Sequence, residues 1–133
     1  MTNFIQHTSG ILSQAECDAV IDFFETNEQR QEVGKIGSDC RVDPNHKIAT
    51  EIIVDLKELV EDNRLNPVAR ALKKSCEEYI KNYPFLDKIS LWRISHWFKI
   101  QRYNPNEAYF LEHCENEGSL DGDSGRRLIG LMV

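Results

Sequence analysis

The chain has no Cys-x-x-Cys pair. Its four cysteines, Cys17, Cys40, Cys76 and Cys114, are scattered along it. That spacing excludes a zinc ribbon or finger, and it favours reduced thiols used in packing over two disulfides. Glycine and proline are scarce, at 7 and 4 residues, so collagen-like and low-complexity chains are excluded. No apolar run approaches the roughly 20 residues a membrane-spanning helix needs. A charged-then-apolar leader is missing at the N-terminus, and the expectation is a cytoplasmic protein without a membrane partner. Basic residues are outnumbered 16 to 22, for a net charge of −6. An acidic chain repels phosphate backbones, so no nucleic-acid partner is expected.

What remains is ordinary globular material: 133 residues, 41% hydrophobic and 29% charged. One domain per roughly 150 residues sets the prior at a single domain. The chain stops on Leu128-Ile129-Gly130-Leu131-Met132-Val133, an apolar run without a closing turn or polar tail.

Helical signals dominate residues 1–88. Ser13-x-x-Glu16 is a capping box, and Cys17, Val20, Ile21 and Phe24 follow at helical spacing, predicting a helix that ends near Asn27. Residues 30–50 read as loop with a short strand near Val33–Ile36. Ile52-Ile53-Val54 suits a strand and Leu56, Leu59, Val60 a helical turn, and periodicity does not arbitrate between them. Asn66-Pro67 predicts the next helix, with Asn66 as N-cap and Pro67 first in the helix, and Asn82-Tyr83-Pro84 stops it.

Over 89–133 the period falls to two. Trp92, Ile94, His96, Phe98 and Ile100 alternate with Arg93, Ser95, Trp97, Lys99 and Gln101, predicting a half-buried strand to about Tyr103 with His96 as a core histidine. Asn104-Pro105-Asn106-Glu107 is turn chemistry. A second strand is expected over Ala108–Glu115, then a glycine-bearing acidic loop, then a third strand over Arg126–Val133 whose two arginines read as solvated strand-end charges. The fold class expected is therefore α+β, helices first and antiparallel strands last.

His113-Cys114-Glu115 is the candidate chemistry. On a strand, residues i and i+2 share a face, so His113 and Glu115 would supply two corners of a two-His-one-carboxylate Fe(II) site. The triplet alone is weak: four histidines and 22 acidic residues in 133 produce ~0.7 such pairs by chance. The bland alternative is a non-catalytic β-rich binding or scaffold module with an incidental His-x-Glu.

Phe98-Lys99-Ile100-Gln101-Arg102-Tyr103, then Pro105, Tyr109, Phe110 and His113-x-Glu115, resembles the first core strands of the 2-oxoglutarate- and Fe(II)-dependent dioxygenases, in their prolyl 4-hydroxylase-like branch. The capped helix over 11–24 and the helix over 66–82 are similar to the helices preceding that family's barrel. The resemblance implies a double-stranded β-helix (jelly-roll), with His113 and Glu115 as metal ligands and Tyr103 on the far carboxylate of 2-oxoglutarate. Parity puts Tyr103 on the polar strand face, which in a barrel is the lumen. Fe(II) would be the cofactor and 2-oxoglutarate the cosubstrate, with ascorbate allowed as an accessory reductant. The substrate would be a peptide or small molecule, and the branch suggests a peptidyl proline. Glu115 departs from the commoner Asp, and no histidine follows His113 to complete the triad. His7 and His46 carry no partner signal. The chain is thus expected to be one incomplete oxygenase domain over 1–133, C-terminally truncated and inactive alone.

Overall fold

A computed structural model describes residues 4–37, 39–89 and 94–113. They form an α+β arrangement of four helices and one three-stranded antiparallel sheet. Helix α1 spans Gln14–Thr26, β1 Glu32–Val33, β2 Thr50–Asp55, α2 Leu56–Glu61, α3 Asn66–Asn82, α4 Leu86–Ile89 and β3 Trp97–Arg102. The strand order is β1-β2-β3.

The capping box that opens α1 is complete. Ser13 Oγ accepts from the Glu16 amide at 3.3 Å, and Glu16 Oε2 accepts from the Ser13 amide at 2.8 Å. The buried stripe differs from the expected one, because Phe23 and Phe24 are buried while Ile21 is 57% exposed. Phe23 wins its place by size and by two cationic lids, the Arg30 and Arg64 guanidinium carbons lying 5.6 and 4.9 Å from its ring centre.

The ambiguous stretch after Thr50 is both things in turn. Strand β2 runs to Asp55, whose side chain then accepts from the Glu58 amide at 2.8 Å and caps α2. Helix α3 starts and stops where its sequence predicts, but Asn66 is not its cap. Leu65 holds that position without a side-chain bond, and Asn66 Nδ2 instead donates to the Val60 carbonyl at 2.7 Å, closing the end of α2. The Asn side chain goes to an orphaned carbonyl because α2 and α3 are nearly continuous in sequence.

Even-numbered residues of β2 and β3 face the helices. Ile52 and Val54, with Phe98 and Ile100 beside them, pack on Phe23, Phe24, Leu59, Leu65 and Leu72. The register pairs Ile52 with Ile100 and Val54 with Phe98. At Leu56 β2 becomes helix, and the Leu56 amide donates to the His96 carbonyl at 2.9 Å as the last bond of the ladder. Residues 94–96 consequently have no strand to pair with among the described residues. The strand expected to begin at Trp92 begins at Trp97, and Trp92 and Arg93 lie outside the described residues. His96 is exposed, edge-on to Trp97 at 5.0 Å, so it is not a core histidine.

Beyond β3 the turn Asn104–Glu107 interrupts the ladder, with Asn106 at φ 72°. Pairing resumes only as a single bridge between Lys47 and Tyr109, flanked by Ile48 N to Ala108 O at 3.0 Å and Phe110 N to His46 O at 2.7 Å. The chain bends at Leu111, so the strand expected over Ala108–Glu115 is one bridge in its described part. The last strand expected, Arg126–Val133, falls outside the described residues, as does Cys114. Cys17, Cys40 and Cys76 are free thiols, and Cys40 is exposed rather than packed. No helix among the described residues is long and apolar enough to cross a membrane.

Candidate functional site

The side of the sheet away from the helices carries Glu51 and Ile53 from β2 and Trp97, Lys99 and Gln101 from β3, with Tyr103 one step past the strand. Period-two alternation alone puts them there: Phe98 and Ile100 turn to the core, so their neighbours turn away. This places Lys99, Gln101 and Tyr103 on one face, as the strand parity of the sequence predicts.

At the centre of that face is a buried charge. Glu51 is 2% exposed and Lys47 3% exposed, and their side chains meet at 2.8 Å. Lys99, 43% exposed, reaches the other carboxylate oxygen at 3.0 Å. Gln101 Nε2 donates to Glu51 Oε2 at 3.2 Å. Burial alone would raise the Glu51 carboxyl, but the hydrogen bonds and charges of Lys47 and Lys99 outweigh it and hold the group below its ordinary value. Lys47 gains its position because Gly34 leaves room for it. A Cβ on Gly34 would stand 2.9 Å from Lys47 Cε and 3.2 Å from Ala49 Cβ. Beside Glu51 a cleft of about 240 Å³ opens between Arg30, Glu32 and Ile53.

Tyr103 Oη donates to Gln101 Oε1 at 3.0 Å. Burial, with the negative charge of Glu51 and the nearby Tyr109 adding to it, pushes the phenol above its usual value. Tyr103 is therefore a neutral hydroxyl at any physiological pH.

His113 stands at the end of the described chain, stacked on Tyr109 with ring centres 3.8 Å apart. It is not on a strand, so the same-face argument for His113 and Glu115 does not apply at this position. Its Nδ1 lies 3.2 Å from the Leu111 carbonyl. A carbonyl accepts only, so a hydrogen bond at that contact is donated by Nδ1, an arrangement that a histidine holding a metal through Nε2 also uses. Glu115 falls outside the described residues. Among the described residues no three His, Cys, Asp or Glu side chains come together as a metal site.

The other histidines stand apart in role. His46 Nδ1 approaches Asp43 Oδ2 at 2.6 Å, an ion-pair distance without hydrogen-bond alignment, and so has the acidic neighbour its loop sequence did not announce. His7 is exposed beside Ser9. Sequence reasoning also missed Glu51 and Lys47. The available signal was a lone carboxylate at the head of Ile52-Ile53-Val54, with Lys47 four residues earlier. Comparison with protein-family models, with curated proteins and with solved structures returns no match.

Proposed function

We propose that the protein is a 2-oxoglutarate- and Fe(II)-dependent oxygenase that hydroxylates an unactivated C–H bond, with a peptidyl proline as its substrate class. On this reading the three-stranded sheet is part of a jelly-roll, its helix-covered face the outside and its polar face the lumen. The observation that carries the reading is the placement of Tyr103. The strand run Phe98–Tyr103 sets its core side chains on the helices and presents Lys99, Gln101 and Tyr103 on the opposite side, where a lumen requires them.

His113 and Glu115 are the proposed metal ligands, and the Nδ1 contact of His113 with Leu111 suits the first of these roles. Bound Fe(II) would supply the oxidative chemistry, in which 2-oxoglutarate loses CO2 and takes one atom of dioxygen to become succinate while the other atom enters the substrate C–H bond. The chain's own residues bind and orient. His113 would hold the metal through Nε2, Tyr103 would give its hydroxyl proton to a carboxylate, and the buried Glu51 cluster adjoins Tyr103 through Gln101 on the same face. No role as third ligand is assigned to His7, His46 or His96.

The test is iron-dependent release of CO2 from 1-labelled 2-oxoglutarate by the full-length protein. We expect His113→Ala to reduce turnover by more than about a hundredfold, since even residues one step from a metal cost 10–100-fold. Absence of iron-dependent turnover in the wild type would leave a non-catalytic binding module as the better description, and turnover unchanged in His113→Ala would remove His113 from the metal site.

A further inference from the structure

The hydrogen bonds around Gln101 determine where each proton sits. The Glu51 carboxylate only accepts, so the Gln101 atom 3.2 Å from it must be the amide nitrogen. The amide oxygen is then the atom 3.0 Å from Tyr103 Oη, and since it too only accepts, the phenol must donate. A phenol has one proton. With that proton given to Gln101, Tyr103 presents only lone pairs elsewhere. The far carboxylate of 2-oxoglutarate also presents only lone pairs. The two cannot hydrogen-bond until the Tyr103–Gln101 bond is broken.

We propose that Gln101, oriented by the buried Glu51, is a positioning residue that competes with the cosubstrate carboxylate for the Tyr103 proton. The inference rests on the oxygenase reading of Tyr103 and adds a residue to it. Glu51 is what makes the competition effective. Gln101 is itself exposed, and without the Glu51 carboxylate beside it the amide would flip at little cost and offer N–H to the phenol oxygen, freeing the proton. Here the flip would turn the amide oxygen toward a carboxylate already held by Lys47 and Lys99. The bond from Tyr103 to Gln101 is therefore the ground state that a ligand must displace.

The experiment uses Gln101→Met, which keeps the length and removes both amide hydrogen bonds. With 2-oxoglutarate as the probe, we expect its KM to fall about two- to tenfold, the range one net hydrogen bond supplies. In a Tyr103→Phe background the same substitution should change nothing, because the proton in dispute is gone. A merely structural role for Gln101 would loosen binding, not tighten it. KM unchanged or raised in Gln101→Met, or a fall that persists in Tyr103→Phe, overturns the inference. A second readout needs no activity. In protein labelled with ζ-13C tyrosine, the resonance lost in Tyr103→Phe should move in Gln101→Met, and an unmoved signal overturns the bond on which the inference stands. If the labelled signal moves but the wild-type protein turns over no 2-oxoglutarate, the oxygenase reading fails and the competing ligand with it. If turnover is normal and KM does not respond, the inference alone fails.

Discussion

Lys47 and Glu51 show how one residue pair can hold a sheet face together and also make it vulnerable. Both are stripped of water, a cost of several kcal/mol per ion that only close pairing offsets. Lys47→Met leaves Glu51 with Lys99 as its one cationic partner among the described residues, and we expect a loss of about 3 kcal/mol, seen as a lower urea midpoint at unchanged slope. Replacing both, as Lys47→Met with Glu51→Leu, should recover most of that loss, since apolar pairs of similar volume are commonly as stable as a buried ion pair. A double variant as unstable as the single one would mean the pair is not the source. The same carboxylate makes stability depend on acid. Glu51 is held below its ordinary value of 4.5, so the folded state binds its proton less readily than the unfolded chain does. Its contribution is complete above about 4.5 and is lost as pH falls through the depressed folded value. Thermal unfolding between pH 7 and 3 should show this acid limb, flatter in the double variant. Glu16 and Glu107, also lowered by hydrogen bonds to Ser13 and Asn104, add to the limb that remains.

The elements divide by whether their boundaries are local. Helix α1 begins at Ser13 because two hydrogen bonds within four residues satisfy its first amides, and that signal is readable without any partner. Ser13→Ala should cost about 1 kcal/mol, measured by thermal or urea unfolding, and a loss below about 0.3 kcal/mol would show that packing of Phe23 and Phe24 alone sets the helix start. The β half behaves otherwise. Alternation over Trp92–Tyr103 correctly sorts Phe98 and Ile100 from Lys99 and Gln101, yet it overstates the strand's length. A strand ends where its neighbour ends, and β2 turns into α2 at Leu56. The same reason reduces Ala108–Phe110 to one bridge: after the turn at Asn104–Glu107 it finds, among the described residues, only His46–Ile48 to pair with. Asn66 illustrates the converse error, a good cap residue used to cap the preceding helix.

At the scale of the molecule, β2 is the hinge of the design. It is the central strand, its even residues fill the helix-facing core, and Glu51 anchors the other face. Its amides should therefore exchange with solvent last. Native-state hydrogen exchange is expected to rank Ile52 and Val54 at or near the global unfolding free energy, with the turn residues Asn104–Glu107 far below. Comparable protection in both would contradict a single core centred on β2. The charge pattern matters at this scale as well. The net −6 says nothing of the local cationic pair of Lys47 and Lys99 around Glu51, because folding gathers charges that lie 48 residues apart in sequence.

By itself the sequence determined the α+β class, the capped start of α1, the span of α3 and the two-faced character of residues 97–103, since each depends on contacts within a few residues. It also proposes His113, Glu115 and Tyr103 as groups to test, the first two as a His-x-Glu pair that is weak by itself and all three through the family their neighbourhood resembles. Only the tertiary structure decided where the strands stop, which phenylalanines of α1 are buried, and that Glu51 is a buried carboxylate joined through Gln101 to Tyr103. These depend on which segments meet across the sheet, and a periodic pattern records a side chain's direction but not its partner.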